Sequence, residues 1–291
     1  MKQLLTVRRA PRRHWVGDGF PVHGMFDYGA GAAERSPFLL LDYAAPTSFE
    51  PTSARRGVGE HPHRGFETVT IVFDGEVEHR DSTGQGGVIG PGDVQWMTAG
   101  AGILHEEFHS SAYGRRGGPF EMVQLWVNLP AKEKLTPPGY QAIVDAEIPR
   151  RPLRDASGAE AGAVRVIAGT FDSARGPART FTPMNVWDVR LSAGRRVSLE
   201  QPEGWTSLIL VRTGKIRIAG DTTLGPAELA ALSREGGEVA IEAAEETRLL
   251  VLSGEPIREP VVGYGPFVMN SEAEIRQAIV DFESGRFGRM G

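Results

Sequence analysis

Four side chains with metal-binding atoms occur as two closely spaced pairs, His61 with His63 and His105 with Glu107. One residue separates the members of each pair, and on a β-strand this period-two spacing points both side chains to the same face. A transition metal needs three or four donor groups that converge on one point, and two neighbouring strands with one pair each could supply them. The spacing therefore predicts a site for one divalent transition-metal ion.

Period-two alternation alone does not identify the carboxylate ligand of this site. Glu67 has the same parity as the first histidine pair, and Glu107 has the same parity as His105. On a straight strand Glu67 would lie ~13 Å beyond His63, whereas Glu107 is only two positions from His105. Distance therefore favours Glu107 and keeps Glu67 as a candidate.

The distribution of histidine and cysteine restricts where a metal could bind. All seven histidines lie within the first 109 residues, and there is no cysteine, so any metal rests on nitrogen and oxygen ligands in the first half. His14, His23 and His79 are expected to be surface or hydrogen-bonded core residues. His109 lies ~6.6 Å beyond Glu107 on an extended strand and is expected to support the site rather than to bind the metal.

Glycine and proline indicate the elements that must position these ligands. The chain has 291 residues with 37 glycines and 20 prolines, which favours many short strands and turns over long helices. Apolar or alternating segments of the first half predict at least seven strands in a jelly-roll barrel. These segments are residues 38–43, 66–73, 76–80, 87–89, 93–97, 103–108 and 121–129.

The second half repeats this strand pattern after a break. The stretch LPAKEKLTPPGYQ at residues 129–141 interrupts the first series, and a second series of strands follows from residue 163. We therefore expect an all-β protein of two jelly-roll barrels, residues 1–135 with the metal site and residues 136–291 without one. Ser271 and Glu274 form a capping-box pattern ahead of an apolar helical face, which predicts a C-terminal helix at about residues 271–284.

Charge and hydropathy exclude several classes of partner. The formal charge is -5 and the isoelectric point is near 5.9, so no global attraction to nucleic acid or an anionic membrane is expected. No segment has ~18 consecutive apolar residues, and the first residues lack the apolar core of a secretory signal. A cytoplasmic location is therefore the expectation.

Four long stretches of the chain resemble the pirin family of two-domain cupins. They are HPHRGFETVTIVFDGEVEHRDS at residues 61–82, GPGDVQWMTAGAGILHEE at residues 90–107, QLWVNLPAKEKLTPPGYQ at residues 124–141 and EPVVGYGPFVMNSEAEIRQAIVDFESGRFG at residues 259–288. The resemblance implies two antiparallel β-barrels packed face to face, a bicupin, with a metal only in the N-terminal barrel. It also implies the ligand set of three histidines and one glutamate, namely His61, His63, His105 and Glu107.

The same resemblance implies a metal-dependent reaction with dioxygen. Pirin relatives suggest an activity like that of quercetin 2,3-dioxygenase, in which a flavonol loses its 3-hydroxyl proton, O2 adds across the heterocycle, the ring opens and carbon monoxide leaves. Fe(II) is the expected cofactor, although Mn, Ni, Cu or Zn suits the same ligands. Glu107, close to the substrate hydroxyl, is the expected general base.

Two other functions stay open at the level of sequence. One is an iron-dependent redox-sensing regulatory protein that binds a transcription factor or a metabolic enzyme. The other is a structural cupin in which the metal only braces the barrel. We favour the enzyme, with a small aromatic, flavonol-like substrate.

Overall fold

The computed structural model describes all 291 residues, which form twenty-six strands and three α-helices. The first strands in chain order are β1 Leu4–Arg8, β2 His14–Val16, β3 Phe20–Phe26, β4 Phe38–Phe49, β5 Gly57–His63, β6 Phe66–Asp74, β7 Val77–Asp81, β8 Gly86–Ile89, β9 Val94–Thr98, β10 Ile103–His109, β11 Gly118–Asn128 and β12 Gly139–Ile143. The remaining strands are β13 Arg150–Arg154, β14 Glu160–Ala168, β15 Thr170–Phe171, β16 Ala174–Arg175, β17 Met184–Leu191, β18 Arg196–Glu200, β19 Thr206–Thr213, β20 Ile216–Ile218, β21 Thr222–Leu224, β22 Glu228–Leu232, β23 Glu238–Ala243, β24 Thr247–Gly254, β25 Val262–Tyr264 and β26 Phe267–Met269. The all-β expectation is confirmed.

The first compact unit contains every histidine and comprises residues 12–33, 38–145 and 257–291. Its larger sheet has seven strands in the order β12, β9, β6, β11, β4, β3, β2, and its smaller sheet has the order β5, β10, β7, β8. Apolar side chains from both sheets meet in one core, for example Val72 from β6 with Val77 from β7. The unit is therefore a two-sheet sandwich.

The second unit comprises residues 1–11, 34–37 and 146–256. Its seven-stranded sheet has the order β1, β22, β19, β24, β17, β14, β13, and its four-stranded sheet has the order β18, β23, β20, β21. Fully buried residues such as Ile209, Val251 and Ile241 fill the space between the sheets. This unit repeats the architecture of the first without a single imidazole.

A single boundary at residue 135 would put the N-terminus in the first unit and the C-terminus in the second. The structure places each terminus in the other unit. β1 pairs antiparallel with β22, which places the first residues in the second unit. The C-terminal segment packs in the first unit, where Ile275, Ala278 and Phe287 belong to the same apolar cluster as Leu104. Pairing between distant strands and apolar burial explain both placements, and neither leaves a local sequence signal.

The helices are α1 Ala32–Arg35, α2 Ser111–Arg116 and α3 Glu272–Glu283. The predicted capping box begins α3, because the Ser271 hydroxyl accepts from the Glu274 backbone N–H at 3.3 Å and donates to the Glu274 carboxylate at 2.9 Å. None of the three has the length and apolar composition that a membrane-spanning helix requires.

Candidate metal centre

Three histidines converge where β5 and β10 pair in the smaller sheet of the first unit. The strands are antiparallel, and His105 lies directly opposite His61. The ring centroids of His61 and His105 are 4.2 Å apart, those of His63 and His105 are 4.8 Å apart, and those of His61 and His63 are 4.9 Å apart. One ring nitrogen from each residue lies within 4.8 Å of the other two, so the three could hold one metal ion.

The electrostatics of this cluster favour metal binding. Burial, reinforced by His61, lowers the pKa of His63 well below its ordinary value of 6.5. Burial and then the neighbouring histidines lower the pKa of His105 in the same way. Both rings are therefore neutral near pH 7 and keep a lone pair for a metal. His63 Nδ1 and His105 Nε2 are buried with no hydrogen-bond partner, an arrangement that a bound cation would satisfy.

Glu107 reaches this cluster from β10, beyond an irregularity in strand register after His105. One of its oxygens lies within 4.8 Å of ligand atoms of His105 and His79. The four predicted ligands thus form no single group at that spacing. They fall into two groups that share His105, and Glu107 lines the same cavity as His61 and His63.

The Glu107 carboxylate is held by donors from the larger sheet. Its Oε1 accepts from the Thr70 hydroxyl at 3.1 Å and from the Gln95 amide at 3.2 Å, and its Oε2 accepts from the Gln124 amide at 2.9 Å. Thr70 is paired with Gln95 on one side and with Gln124 on the other. Three adjacent strands therefore present one row of donors to a single carboxylate.

Glu67 is set apart from the cluster by the path of the chain. β5 ends at His63, and Glu67 follows in β6 of the larger sheet, where the Thr98 hydroxyl donates to it at 2.8 Å. Burial raises the pKa of Glu67 to about 7. It belongs to neither group of potential ligands and does not line the cavity, so the geometry favours Glu107.

His79 is the residue of the centre that the sequence did not single out. It is fully buried on β7, opposite Glu107 on β10. Its Nδ1 lies 3.3 Å from His105 Nδ1, and its Nε2 lies 3.1 Å from the Asp81 carboxylate. His79 is a hydrogen-bonded core residue as expected, but its partner is a predicted ligand. The period-two pair of His79 and Asp81 was the available signal.

His109 takes no part in the cluster. Its Nε2 donates to the Gly19 carbonyl at 2.9 Å, and its ring packs among Phe49, Phe120 and Tyr113. Burial lowers the pKa of His109 to about 4, so the ring is neutral. It supports the core beside the site.

A cavity of about 190 Å³ opens beside the candidate ligands. Its apolar lining residues are Val16, Phe20, Val22, Leu40, Val58, Met122 and Trp126. Its polar lining residues are Asp42, His61, His63, Glu107 and Gln124. Apolar walls with a few converging polar groups are typical of small-molecule sites.

Size and chemistry point to different cavities in this protein. A larger cavity of about 990 Å³ lies in the second unit, lined by residues that include Arg154, Trp187 and Glu200. It has no imidazole and no group of side chains spaced for a metal. The chemistry of the donor set therefore identifies the smaller cavity as the candidate site.

Comparisons with known proteins agree with these features. The family model described as "Pirin" matches residues 19–127, and the "Pirin C-terminal cupin domain" model matches residues 186–288. A Pseudomonas aeruginosa protein named "Putative quercetin 2,3-dioxygenase" is 56% identical over 289 residues, 99% of each chain. Human pirin is 40% identical over 87% of this chain and 83% of its own. A crystal structure titled as quercetin 2,3-dioxygenase from Acinetobacter baumannii is 53% identical, with a TM-score of 0.95 over 100% of both chains.

Proposed function

Because this chain belongs to the pirin family, we propose that it is a metal-dependent dioxygenase that opens a flavonol-like substrate with O2. Membership confirms the resemblance and the bicupin fold predicted from the sequence. The names of the Pseudomonas and Acinetobacter relatives support the reaction class. A cytoplasmic location is part of the proposal.

One observation carries the proposal. His61, His63 and His105 converge at one point of a mostly apolar cavity that Glu107 also lines. Three imidazoles and one carboxylate suit a divalent metal, and the buried, unpartnered nitrogens of His63 and His105 fit such an ion. We propose these four residues as the ligands, with Fe(II) as the metal, although Mn, Ni, Cu or Zn suits the same donors. When bound, the ion would supply Lewis acidity to the substrate oxyanion and redox chemistry towards O2.

The protein must also accept the proton of the substrate hydroxyl. A Glu107 oxygen lies within 4.8 Å of a ring nitrogen of His105, but three donors already occupy most of the lone pairs of this carboxylate. Metal ligation and proton acceptance would then compete for the position that remains. We keep Glu107 in both roles as the first assignment.

Asp42 is a second carboxylate at the same cavity. It lines the cavity from β4, and burial raises its pKa to about 6, against the opposing effect of His14 and with that of Asp27. Because its side chain lines the cavity, we propose its carboxylate as a second acceptor for the proton of the substrate hydroxyl. A base with this pKa suits proton transfer near neutral pH.

The cavity also limits how a flavonol would bind. Its volume of about 190 Å³ is below the ~300–1,000 Å³ of sites that enclose a drug-sized ligand. We therefore expect the oxygen-bearing heterocycle to enter and the remaining ring to stay at the opening. The side chains of Phe20 and Trp126 line the space for a flat ring.

O2 uptake with a panel of flavonols, on protein of measured metal content, tests the proposal. We expect one metal per chain, consumption of one O2 per flavonol and release of carbon monoxide, so that both oxygen atoms enter the ring-opened product. Glu107→Gln should abolish turnover, whereas Glu106→Gln is the matched control, because Glu106 pairs with Arg80 and Arg55 away from the cavity. If Asp42 is the base, Asp42→Asn should still bind the metal. Its residual turnover rate should no longer fall as the pH drops below about 6, as the wild-type rate does.

Stoichiometric metal without O2 uptake on any flavonol would overturn the dioxygenase proposal. The regulatory alternative from the sequence would then become the leading function. It predicts a protein partner captured by the Fe(III) form and not by the Fe(II) form.

A further inference from the structure

A buried chain of hydrogen bonds runs from Asp81 through His79 to His105. The links are the 3.1 Å contact between Asp81 Oδ2 and His79 Nε2 and the 3.3 Å contact between the Nδ1 atoms of His79 and His105. The exposed fractions of the three residues are 4%, 0% and 0%. The chain is thus shielded from water, and each proton on it must have a partner within the protein.

Asp81 is the acceptor at the end of this chain of hydrogen bonds. Its other oxygen, Oδ1, accepts from the Thr83 backbone N–H at 2.8 Å, from the Thr83 hydroxyl at 2.6 Å and from the Gln85 backbone N–H at 3.2 Å. A carboxylate with three donors on one oxygen is held ionised, so Oδ2 can only accept. His79 must therefore carry a proton on Nε2.

Proton accounting along the chain then determines the tautomer of His105. In an imidazole with its single proton on Nε2, the lone pair lies on Nδ1. The contact between the two Nδ1 atoms is a hydrogen bond only if His105 donates, so His105 carries its proton on Nδ1. Its Nε2 is left with the lone pair, and this is the atom that is buried with no partner.

We propose that Asp81 and His79 are positioning residues that fix the tautomer of His105 and so keep its Nε2 ready for the metal. This inference rests on the metal site of the proposed function. Outer partners of metal-bound histidines typically contribute 10–100-fold in metal affinity. Here a second imidazole stands between the carboxylate and the ligand.

The same histidine is also linked to the carboxylate ligand. The His79 ring stacks on Tyr140, with centroids 5.1 Å apart and planes at 14°. The Tyr140 hydroxyl donates to Gln95 at 3.3 Å, and Gln95 donates to Glu107. One network therefore orients both members of the ligand pair on β10.

Nitrogen NMR of metal-free protein with labelled histidine tests the tautomer directly, without metal or turnover. We expect His105 to carry its proton on Nδ1 in the wild type. In His79→Phe, which keeps a ring against Tyr140 but has no acceptor, this preference should be lost. A wild-type His105 protonated on Nε2 would overturn the inference whether or not the protein is a dioxygenase.

Metal affinity, measured by competition with a chelator, gives the second readout. Asp81→Asn should weaken Fe(II) or Zn(II) binding 10–100-fold without lowering the stoichiometry, and His79→Gln, whose amide oxygen can accept from His105, should recover part of the loss seen in His79→Phe. The matched amide control is Glu106→Gln. Affinity of Asp81→Asn within twofold of wild type would refute the inference. So would fewer coordinated imidazoles in His79→Gln by X-ray absorption, because His79 would then be a ligand.

Discussion

Replacement of Glu67 by glutamine should remove a large pH dependence from the stability of this protein. Glu67 is 1% exposed, and burial raises its pKa from 4.5 to about 7, even though the Thr98 hydroxyl favours the ionised form. A rise of this size corresponds to about 3 kcal/mol of preference for the protonated carboxyl in the folded state. Glutamine is neutral at every pH and keeps an acceptor for Thr98.

The sign follows from proton binding. Between pH 4.5 and 7 the folded protein holds the Glu67 proton more tightly than the unfolded chain does. Folding therefore gains from this residue fully below pH 4.5, and the gain is lost as the pH rises to about 7. Relative to the wild type, Glu67→Gln should become more stable by about 3 kcal/mol across that window and should stay so at higher pH.

Urea unfolding of metal-free wild type and Glu67→Gln, at intervals from pH 5 to pH 8, measures this difference. The dependence of the free energy of unfolding on urea should be the same for both proteins, because the fold is unchanged. Thr98→Val removes the donor that favours ionisation and should move the transition to higher pH. Parallel stability curves for wild type and Glu67→Gln would refute the burial argument, and loss of metal from Glu67→Gln would refute the choice of Glu107 as ligand.

Two further substitutions test the packing around the candidate site. Gly57→Ala would place a Cβ 2.1 Å from the Glu107 carbonyl oxygen, so β10 must shift. We expect the free energy of unfolding in urea to fall by more than about 2 kcal/mol and metal binding to weaken in chelator competition. Gly59→Ala, whose Cβ would have nothing within 4 Å, should match the wild type in both measurements. Asp281→Ala would leave the buried Arg64 guanidinium without its 2.9 Å partner and should lower the free energy of unfolding by about 3 kcal/mol, and a loss below about 1 kcal/mol would contradict a buried pair.

The strand positions of the candidate ligands were readable from the sequence because period-two spacing is a local property. It predicted that His61 and His63 share one face of their strand and that His105 and Glu107 share one face of theirs. It also predicted that neighbouring strands carry the two pairs, as β5 and β10 do. The assignment of these four residues as ligands stays a prediction.

The same reasoning failed to separate Glu67 from Glu107, for a physical reason. Parity can be carried along a strand only while the strand continues. Between His63 and Phe66 the chain leaves one sheet and enters the other through Gly65, whose φ is +88°. A side chain at Gly65 would meet the Val268 carbonyl oxygen at 2.1 Å, so this turn requires glycine.

The position of His79 beside His105 could not be predicted from the local sequence either. β7 and β10 are separated by more than twenty residues, and only their pairing places Asp81 opposite His105 and His79 opposite Glu107. The aromatic residues of the first unit illustrate the same limit, because sequence position alone does not show which of them reach the cavity. Phe66 and Trp96 are buried in the core, Phe108 lies under Arg55, and Phe20 and Trp126 line the cavity instead.

Each candidate ligand other than the half-buried His61 is held by a different part of the first unit. Arg64, next to His63, is tied to α3 through Asp281, Glu107 is held by three strands of the larger sheet, and His105 is held by β7. Supports of this kind fix a site before its ligand arrives. The donor geometry thus belongs to the folded chain itself, so metal should add stability only through its own binding free energy, increasing with the logarithm of its free concentration.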